Sequence, residues 1–391
     1  MNNVKTLVVV LAGGAGGRLE LLTRERAKPA VSFAGTHRLI DFPLSNCLNS
    51  GLQDVWIAQQ FNPISLSDHL ANGRPWDLDR TSGGLIILQP RMGHDGRSGF
   101  PKGTADVLWR NAPMIREFAP AALVVVSADA VYKLDYRAVV DEHAESGAAV
   151  TMVTTEVEPD DASRYGVVQL DGEKVSEYVY KPDEPATNVI SNEVFVFSPE
   201  EVLDRLDEIA EASEELEDVG DELLPSLVDD GRARAHEYSG YWRDVGTIDA
   251  FHGAHMEQLE HPPPIDLDDP HWPVLTHAAS RRESARVVKG ASVEESLLAT
   301  GATVAGTVER SVIGRGALVE EGAVVRDSVI LPGAVVRAGA TVERAIVDDL
   351  VRVERDVRVG EAGGELALVG LEATVEQDVP AGGRFPEIDD D

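Results

Sequence analysis

Four groups of residues in this chain suit polyphosphate chemistry. The first is Leu11-Ala12-Gly13-Gly14-Ala15-Gly16-Gly17-Arg18. A glycine-rich loop behind an apolar strand can turn backbone N–H groups toward phosphate oxygens. Arg18 adds a guanidinium able to hold a polyphosphate. No Gly-Lys-Ser/Thr follows, so this is not a Walker A loop, and the spacing does not match the dinucleotide fingerprint. The same glycines would also serve a plain tight turn. The second group is centred on Lys28, in Arg24-Glu25-Arg26-Ala27-Lys28-Pro29-Ala30. The chain holds only seven lysines, and Lys28, Lys102, Lys133 and Lys181 stand in stretches with other chemistry-bearing residues. Lys5, Lys174 and Lys289 read as solvated surface. The third and fourth groups are carboxylates. Asp129 closes the run Val124-Val125-Val126-Ser127-Ala128-Asp129, and Asp244 sits in Tyr241-Trp242-Arg243-Asp244-Val245-Gly246-Thr247. Ligands of open α/β sheets bind at the carboxyl ends of strands, and Mg²⁺ takes one or two carboxylates together with phosphate oxygens. Either aspartate taken alone would equally be a helix cap or a surface charge.

The elements that must position these groups alternate. Strands are expected at Leu7–Ala12, Val55–Ala58, Leu123–Ser127, Ala149–Thr154 and Val189–Phe197, and helices near Ala105–Glu117, Tyr136–Gly147 and Glu200–Ala212. Continuous apolar strands separated by helical patterns point to a mostly parallel sheet with helices on both faces. The texture then changes. His261 to Pro273 carries five prolines and reads as an extended connector. Beyond Ser280 the unit Gly-Ala-x-Val recurs from Gly290, Gly301, Gly316, Gly322, Gly333 and Gly339. Short apolar strands at multiples near six predict a β-helix with roughly 17 or 18 residues per three-sided coil, a β-sandwich being the alternative. The acidic tail Glu387–Asp391 reads as a frayed end.

Composition narrows the partners. The 391 residues include 68 Asp and Glu against 35 Lys and Arg, a formal charge of -33. Nucleic-acid binding needs a basic surface and anionic lipid would repel this chain, so neither nucleic acid nor membrane is expected. No run approaches the ~20 apolar residues of a membrane span. The single cysteine, Cys47, leaves no intrachain disulfide to form, and a cytoplasmic location is expected.

Taken together, the ordered motifs resemble the bacterial glucose-1-phosphate adenylyltransferases, also called ADP-glucose pyrophosphorylases. They are Leu11-Ala12-Gly13-Gly14, Arg26-Ala27-Lys28-Pro29-Ala30, Ile40-Asp41-Phe42 with Leu44-Ser45-Asn46-Cys47, Gly103-Thr104-Ala105-Asp106, Tyr132-Lys133, Lys181-Pro182 and Tyr241 to Thr247. The connector Asp266 to Pro273 is similar too. The resemblance implies a Rossmann-like nucleotidyltransferase domain over residues 1–255, a Pro-rich linker over 256–280 and a left-handed parallel β-helix over 281–385. It implies transfer of a nucleotidyl group from ATP to glucose 1-phosphate, giving ADP-glucose and pyrophosphate for storage glucan synthesis, with Mg²⁺ as cofactor and a homotetramer as the assembly. By the same resemblance Gly13, Gly14, Gly16 and Arg18 hold the triphosphate with Lys28 nearby, Gln59, Gly103 and Thr104 lie on the nucleotide, and Arg18, Lys28 and Asp129 serve catalysis. Asp129 and Asp244 hold the metal, and Gly166, Lys181 and Ser191 hold the sugar phosphate.

The chain departs from that family's pattern at Ala15, Thr36, Pro90, Pro101, Ala130, Tyr180 and Glu193. The departures fall more heavily on the sugar side than on the triphosphate and metal side. Two alternatives therefore stand beside an active enzyme: a weakly active or non-catalytic regulatory paralogue that binds sugar nucleotide, and a related enzyme with another sugar. Acyl transfer by the β-helix is disfavoured, because the last histidine, His277, precedes the repeats.

Overall fold

The computed structural model describes residues 4–14, 16–89, 101–213, 215–277 and 283–388. Ala15 and Pro90, two of the departures above, and the last residues of the acidic tail lie outside them. The first part of the chain forms strands β1 (Thr6–Ala12), β2 (Ser32–Phe33), β3 (His37–Arg38), β4 (Asp54–Gln59), β5 (Gly84–Leu88), β6 (Ala122–Ser127), β7 (Ala130–Tyr132), β8 (Val150–Glu156), β9 (Gly166–Asp171), β10 (Lys174–Tyr180), β11 (Val189–Phe197), β12 (Ala233–Glu237) and β13 (Trp242–Asp244). Helices α1 (Asp41–Asn49), α2 (Pro63–Leu70), α3 (Thr104–Phe118), α4 (Tyr136–Ser146), α5 (Pro199–Ala212), α6 (Leu223–Asp229) and α7 (Ile248–Glu257) lie between them.

One nine-stranded sheet runs β5-β4-β1-β6-β11-β8-β12-β10-β9. Its strands share one direction except β10 and β11, which run against their neighbours. The sheet is thus mostly parallel, as expected, with one antiparallel strand inserted at its middle. The apolar run of β1 explains its central place, because both of its faces are buried. Leu7 and Val9 face the core shared with α3, α5 and α6, while Val8 and Val10 face the core shared with α1, α2 and α4, the two-residue alternation of a strand. The expected strands and helices all form, with ends shifted by three residues or fewer.

After residue 283 the chain coils into three parallel sheets of six, five and six strands. Through the middle coils successive rungs pair residues 17 apart, as in Val308↔Val325↔Val342↔Val359, whereas one earlier coil is shorter, with Val304 opposite Val319, and a later one is longer, with Ile346 opposite Leu368. All six glycines of the Gly-Ala-x-Val units take positive φ, between 66° and 97°, at corners where a Cβ would be strained. Val304, Val319, Val336, Val353 and Val375 stack inward and are fully buried.

One outer face of this β-helix is also apolar. Val312, Val329, Ile346 and Leu368 stand in register on adjacent rungs. They join one core with Leu19, Leu21, Phe33 and Phe251 from the first part of the chain. Ion pairs fasten the same contact. Arg26, 5% exposed, donates to Asp348 and, at 3.0 Å, to Asp349. Asp349 also accepts from the Ser32 hydroxyl at 3.3 Å. The extended connector is stitched down at its end: Asn49 Nδ2, Trp76 Nε1 and His37 Nε2 reach the carbonyls of Pro273, Leu275 and Val274 at 3.1 Å each. Lys133 joins this work, donating to the Asp266 carbonyl 133 residues along. Among the described residues no helix is long and apolar enough to cross a membrane.

His255 lies in the shared core between the Phe33 and Phe251 rings, with centroids 4.6 and 4.4 Å away. Its Nδ1 donates to the Phe251 carbonyl at 2.8 Å, and its Nε2 accepts from the Ala34 amide at 3.1 Å. A proton on Nε2 would confront that amide with a second donor. Burial pushes the ring down to about 3 from an ordinary 6.5. The native state therefore prefers the neutral ring, whereas the unfolded chain takes a proton below 6.5. Stability from this group is present above 6.5 and is lost as pH falls toward 3, by up to about 1.4 kcal/mol per pH unit. Urea midpoints of wild type and His255→Gln between pH 7 and 4.5 test this. The wild-type curve is expected to fall more steeply, and parallel curves would refute it.

Candidate functional site

A cavity of about 550 Å³ opens at the carboxyl ends of β1, β4, β5 and β6, where Leu11, Gln59, Leu88 and Ser127 line it. Its far wall comes from the ends of β10 and β13 and the middle of β11. The sheet thus presents its strand ends as a ligand platform, as open α/β sheets do.

At the centre is a lysine between two carboxylates. Lys28 Nζ donates to Asp129 Oδ2 at 2.8 Å and stands 3.6 Å from Asp244 Oδ1. The pairing of β7 with β13 brings the carboxylates together, since Ala130 lies directly opposite Asp244. Ala130 itself is buried in the core beneath. Ser127 Oγ donates to Asp129 at 2.6 Å, and Arg164 Nη2 donates to Asp244 at 2.9 Å. Burial works against the Lys28 ammonium, but Asp129 and Asp244 outweigh it and hold its pKa above the ordinary value. Burial likewise pushes Asp129 up, and Lys28, Ser127 and Arg18 more than reverse that. The result is a fixed cation beside the ionised Asp129, with the Asp244 carboxyl on its other side.

Of the residues expected on the nucleotide, Gly13, Gly14, Arg18, Gln59, Gly103 and Thr104 line the cavity. Gln59 is 4% exposed, and its Nε2 has no partner among the described groups, so it is free to meet a ligand. The remaining residues are more constrained. Thr104 Oγ1 is committed to Asp218 at 3.1 Å and to the Val219 amide at 2.9 Å. It braces the loop before α6 against the start of α3. Gly103 is required by packing, because a Cβ would sit 2.2 Å from the Glu217 carbonyl. Gly16 does not line the cavity. It turns at φ 65° and packs against the Lys28 side chain, its would-be Cβ 3.1 Å from Lys28 Cβ. Lys102 lines the cavity and pairs with Glu215.

On the other side, of Gly166, Lys181 and Ser191, only Lys181 lines the cavity. Gly166 pairs with both Tyr180 and Ser191 and stands behind the wall. The residues that reach the cavity there were not singled out as ligands by the sequence: Asn192, Glu193, Tyr180, Arg164 and Trp242. Tyr180 is held in place, donating to Asp218 Oδ2 at 3.1 Å and accepting from Lys181 Nζ at 2.6 Å. The Pro101 carbonyl accepts from Gln60 Nε2. Burial and the nearby Asp129 push the Glu193 carboxyl up to about 7.

The model named "Nucleotidyl transferase" matches residues 7–261, and "GlmU-like, C-terminal hexapeptide" matches residues 280–365. Glucose-1-phosphate adenylyltransferase of Thermomicrobium roseum is 41% identical over 300 residues, covering 76% of this chain and 69% of the relative. That of Ruminiclostridium cellulolyticum is 37% identical over 317 residues, covering 81% and 74%. That of Acetivibrio thermocellus is 34% identical over 362 residues, covering 92% and 84%. The chain belongs to the glucose-1-phosphate adenylyltransferase family. Its coiled second part is accordingly the left-handed hexapeptide-repeat β-helix, and its first part the nucleotidyltransferase fold.

Within this family member, packing separates glycines that the fold requires from glycines with open space toward the cavity. At Gly166 a Cβ would lie 2.2 Å from the Tyr178 hydroxyl, whereas at Gly14 it would meet nothing within 4 Å. Gly103→Ala and Gly166→Ala should each destabilise by about 1–3 kcal/mol, the usual cost of overpacking. Gly14→Ala should stay within about 0.5 kcal/mol. Chemical denaturation of the three variants checks this, and a Gly14→Ala loss as large as the others would overturn the distinction.

Proposed function

We propose that this chain transfers the adenylyl group of ATP to glucose 1-phosphate, releasing pyrophosphate and giving ADP-glucose for storage glucan synthesis. The observation that carries this reading is the Lys28–Asp129–Asp244 centre at the strand ends, with Gly13, Gly14 and Arg18 on one side and Lys181 on the other. Relatives bearing that enzyme name cover most of the chain.

The acceptor phosphate is already anionic and attacks the α-phosphorus without a general base. The protein therefore has to align two anions and offset their repulsion. Lys181 would hold the acceptor phosphate. Gly13 and Gly14 would let the triphosphate approach the backbone, while Arg18, exposed at the mouth, would meet the departing pyrophosphate. Lys28, kept charged by its neighbours, fixes the carboxylates and offers a cation where the anions meet.

The donor set suits Mg²⁺. Asp129 and Asp244 are two hard oxygen ligands, and among the described residues no group of three His, Cys, Asp or Glu could hold a metal alone. That matches an ion completed by substrate phosphate oxygens. When bound, Mg²⁺ would supply Lewis-acid polarisation of phosphoryl oxygens. A cytoplasmic setting belongs to the same reading, supported by the lone buried Cys47. The homotetramer rests on the resemblance alone.

Pyrophosphate release from ATP and glucose 1-phosphate with Mg²⁺ tests the activity. Arg18 is aimed at charge that grows as pyrophosphate leaves, and removing one such donor typically costs about 10²- to 10³-fold in rate. Arg18→Ala should lower kcat by that factor while nucleotide affinity, measured by calorimetry, changes far less. An unchanged kcat would remove Arg18 from the leaving-group role, and an inactive wild type that binds nucleotide would mark a sensor. In the same assay Asp129→Asn and Asp244→Asn should each lose most Mg²⁺-dependent turnover with unchanged circular dichroism. Near-normal activity in both would dismiss the two-carboxylate site.

A further inference from the structure

Strand β11 is irregular where it passes the cavity. Its pairing with β8 shifts between Ser191 and Phe195, and Glu193 there takes φ of 61°. That backbone region suits glycine and costs free energy for a residue with a Cβ. Asn192 beside it is 2% exposed, yet neither its Nδ2 nor its Oδ1 has a partner among the described groups. A buried amide with both ends unmet is destabilising unless something supplies its bonds. The Glu193 carboxylate lies close to Asp129 and Asp244, charges of its own sign, with Lys28 and Lys181 as the opposing cations. Left-handed strain, an unmet amide and like charges bring no benefit to folding. All three occur at two consecutive residues that line the cavity.

The neighbouring Tyr180 does not complete these bonds, since its hydroxyl is spent on Asp218 and Lys181. Lys181 is the cation nearest this wall that is not committed to the carboxylate centre, and its ammonium acts on Glu193. Lys181, Asn192 and Glu193 line the same cavity, so a group attached to a phosphate at Lys181 would have this wall beside it.

We infer that Asn192 and Glu193 are the specificity-determining pair for the acceptor's sugar ring. The carboxylate accepts from one hydroxyl, and the amide donates to one and accepts from its neighbour. The acceptor is then a hexose 1-phosphate presenting adjacent free hydroxyls to this wall. The inference rests on the sugar nucleotidyl-transfer reading. A site built from buried polar groups discriminates strongly, because an analogue lacking the matching hydroxyl leaves those groups unpaired.

The test is pyrophosphate release by the full chain with ATP, Mg²⁺ and four acceptors: glucose, galactose, mannose and 2-deoxyglucose 1-phosphates. Wild type should prefer one acceptor by at least about tenfold in kcat/KM. Glu193→Gly removes the carboxylate and relieves the backbone, so misfolding offers no escape. Glu193→Gly and Asn192→Ala should raise the KM of the best acceptor by about 10- to 100-fold and narrow the preference to about threefold or less, with the KM of ATP moving less than about threefold. Glu193→Gln should keep part of the preference. Full retention of the preference in Glu193→Gly overturns the inference, as does an ATP KM that moves as far as the acceptor KM. A wild type inert toward every sugar 1-phosphate overturns the functional reading and the inference with it.

Discussion

A buried ammonium between two carboxylates organises this molecule. Lys28 is 6% exposed, and a charge so placed persists only when its partners are fixed. Those partners arrive on separate segments. Asp129 follows β6, and Asp244 ends β13, which pairs with β7 so that the aspartates converge. Two residues before Lys28, Arg26 is equally buried and bound to Asp348 and Asp349 of the β-helix. The short segment from Arg26 to Ala30 is therefore held from both sides, by carboxylates of the cavity and by carboxylates of the β-helix. Breaking a buried pair by deleting one member leaves the other charge uncompensated, which is far more costly than never having had the pair.

Much of this architecture was legible in the sequence because burial writes strong patterns. A central strand buried on both faces reads as an unbroken apolar run, as Leu7 to Ala12 does. The β-helix announces itself through glycines that only a left-handed corner demands. The β9–β10 hairpin was not read, because Leu170 and Val179 are exposed and neither strand keeps an unbroken apolar run or a regular alternation. The antiparallel insertion of β11 was not legible either, since its sequence looks like that of any buried strand and its direction is decided by chain connection.

The cavity lining was legible where motif and geometry coincide, at Gly13, Gly14, Arg18, Lys28, Gln59, Asp129, Lys181 and Asp244. It was less so where a residue serves the cavity indirectly. Gly103 and Thr104 line the cavity but are spent on packing and bracing, while Gly16, Gly166 and Ser191 stand behind the wall or pair the strands that form it. Asn192 and Arg164 carry no motif, and only the three-dimensional placement of β11 and of the loop before β9 reveals them. Glu193 and Tyr180 had a signal, as departures from a family pattern, but their opposite roles were not readable. Tyr180 is turned into the scaffold by Asp218, and Glu193 is turned into the cavity.

The apolar row Val312, Val329, Ile346 and Leu368 on the outside of the β-helix has a consequence for how this protein can be altered. Repeat folds tolerate exchange or lengthening of coils because each rung contacts only its neighbours. Here one face of consecutive rungs is spoken for by Leu19, Leu21 and Phe33 of the other domain, and the next corner carries the aspartates that neutralise Arg26. A coil can be grafted elsewhere along the solenoid on the strength of its repeat alone. A graft across these rungs must also bring a matching surface and two carboxylates at the right corner. The modularity visible in the repeats therefore stops where these rungs meet the first part of the chain, and there the two parts can be altered only together.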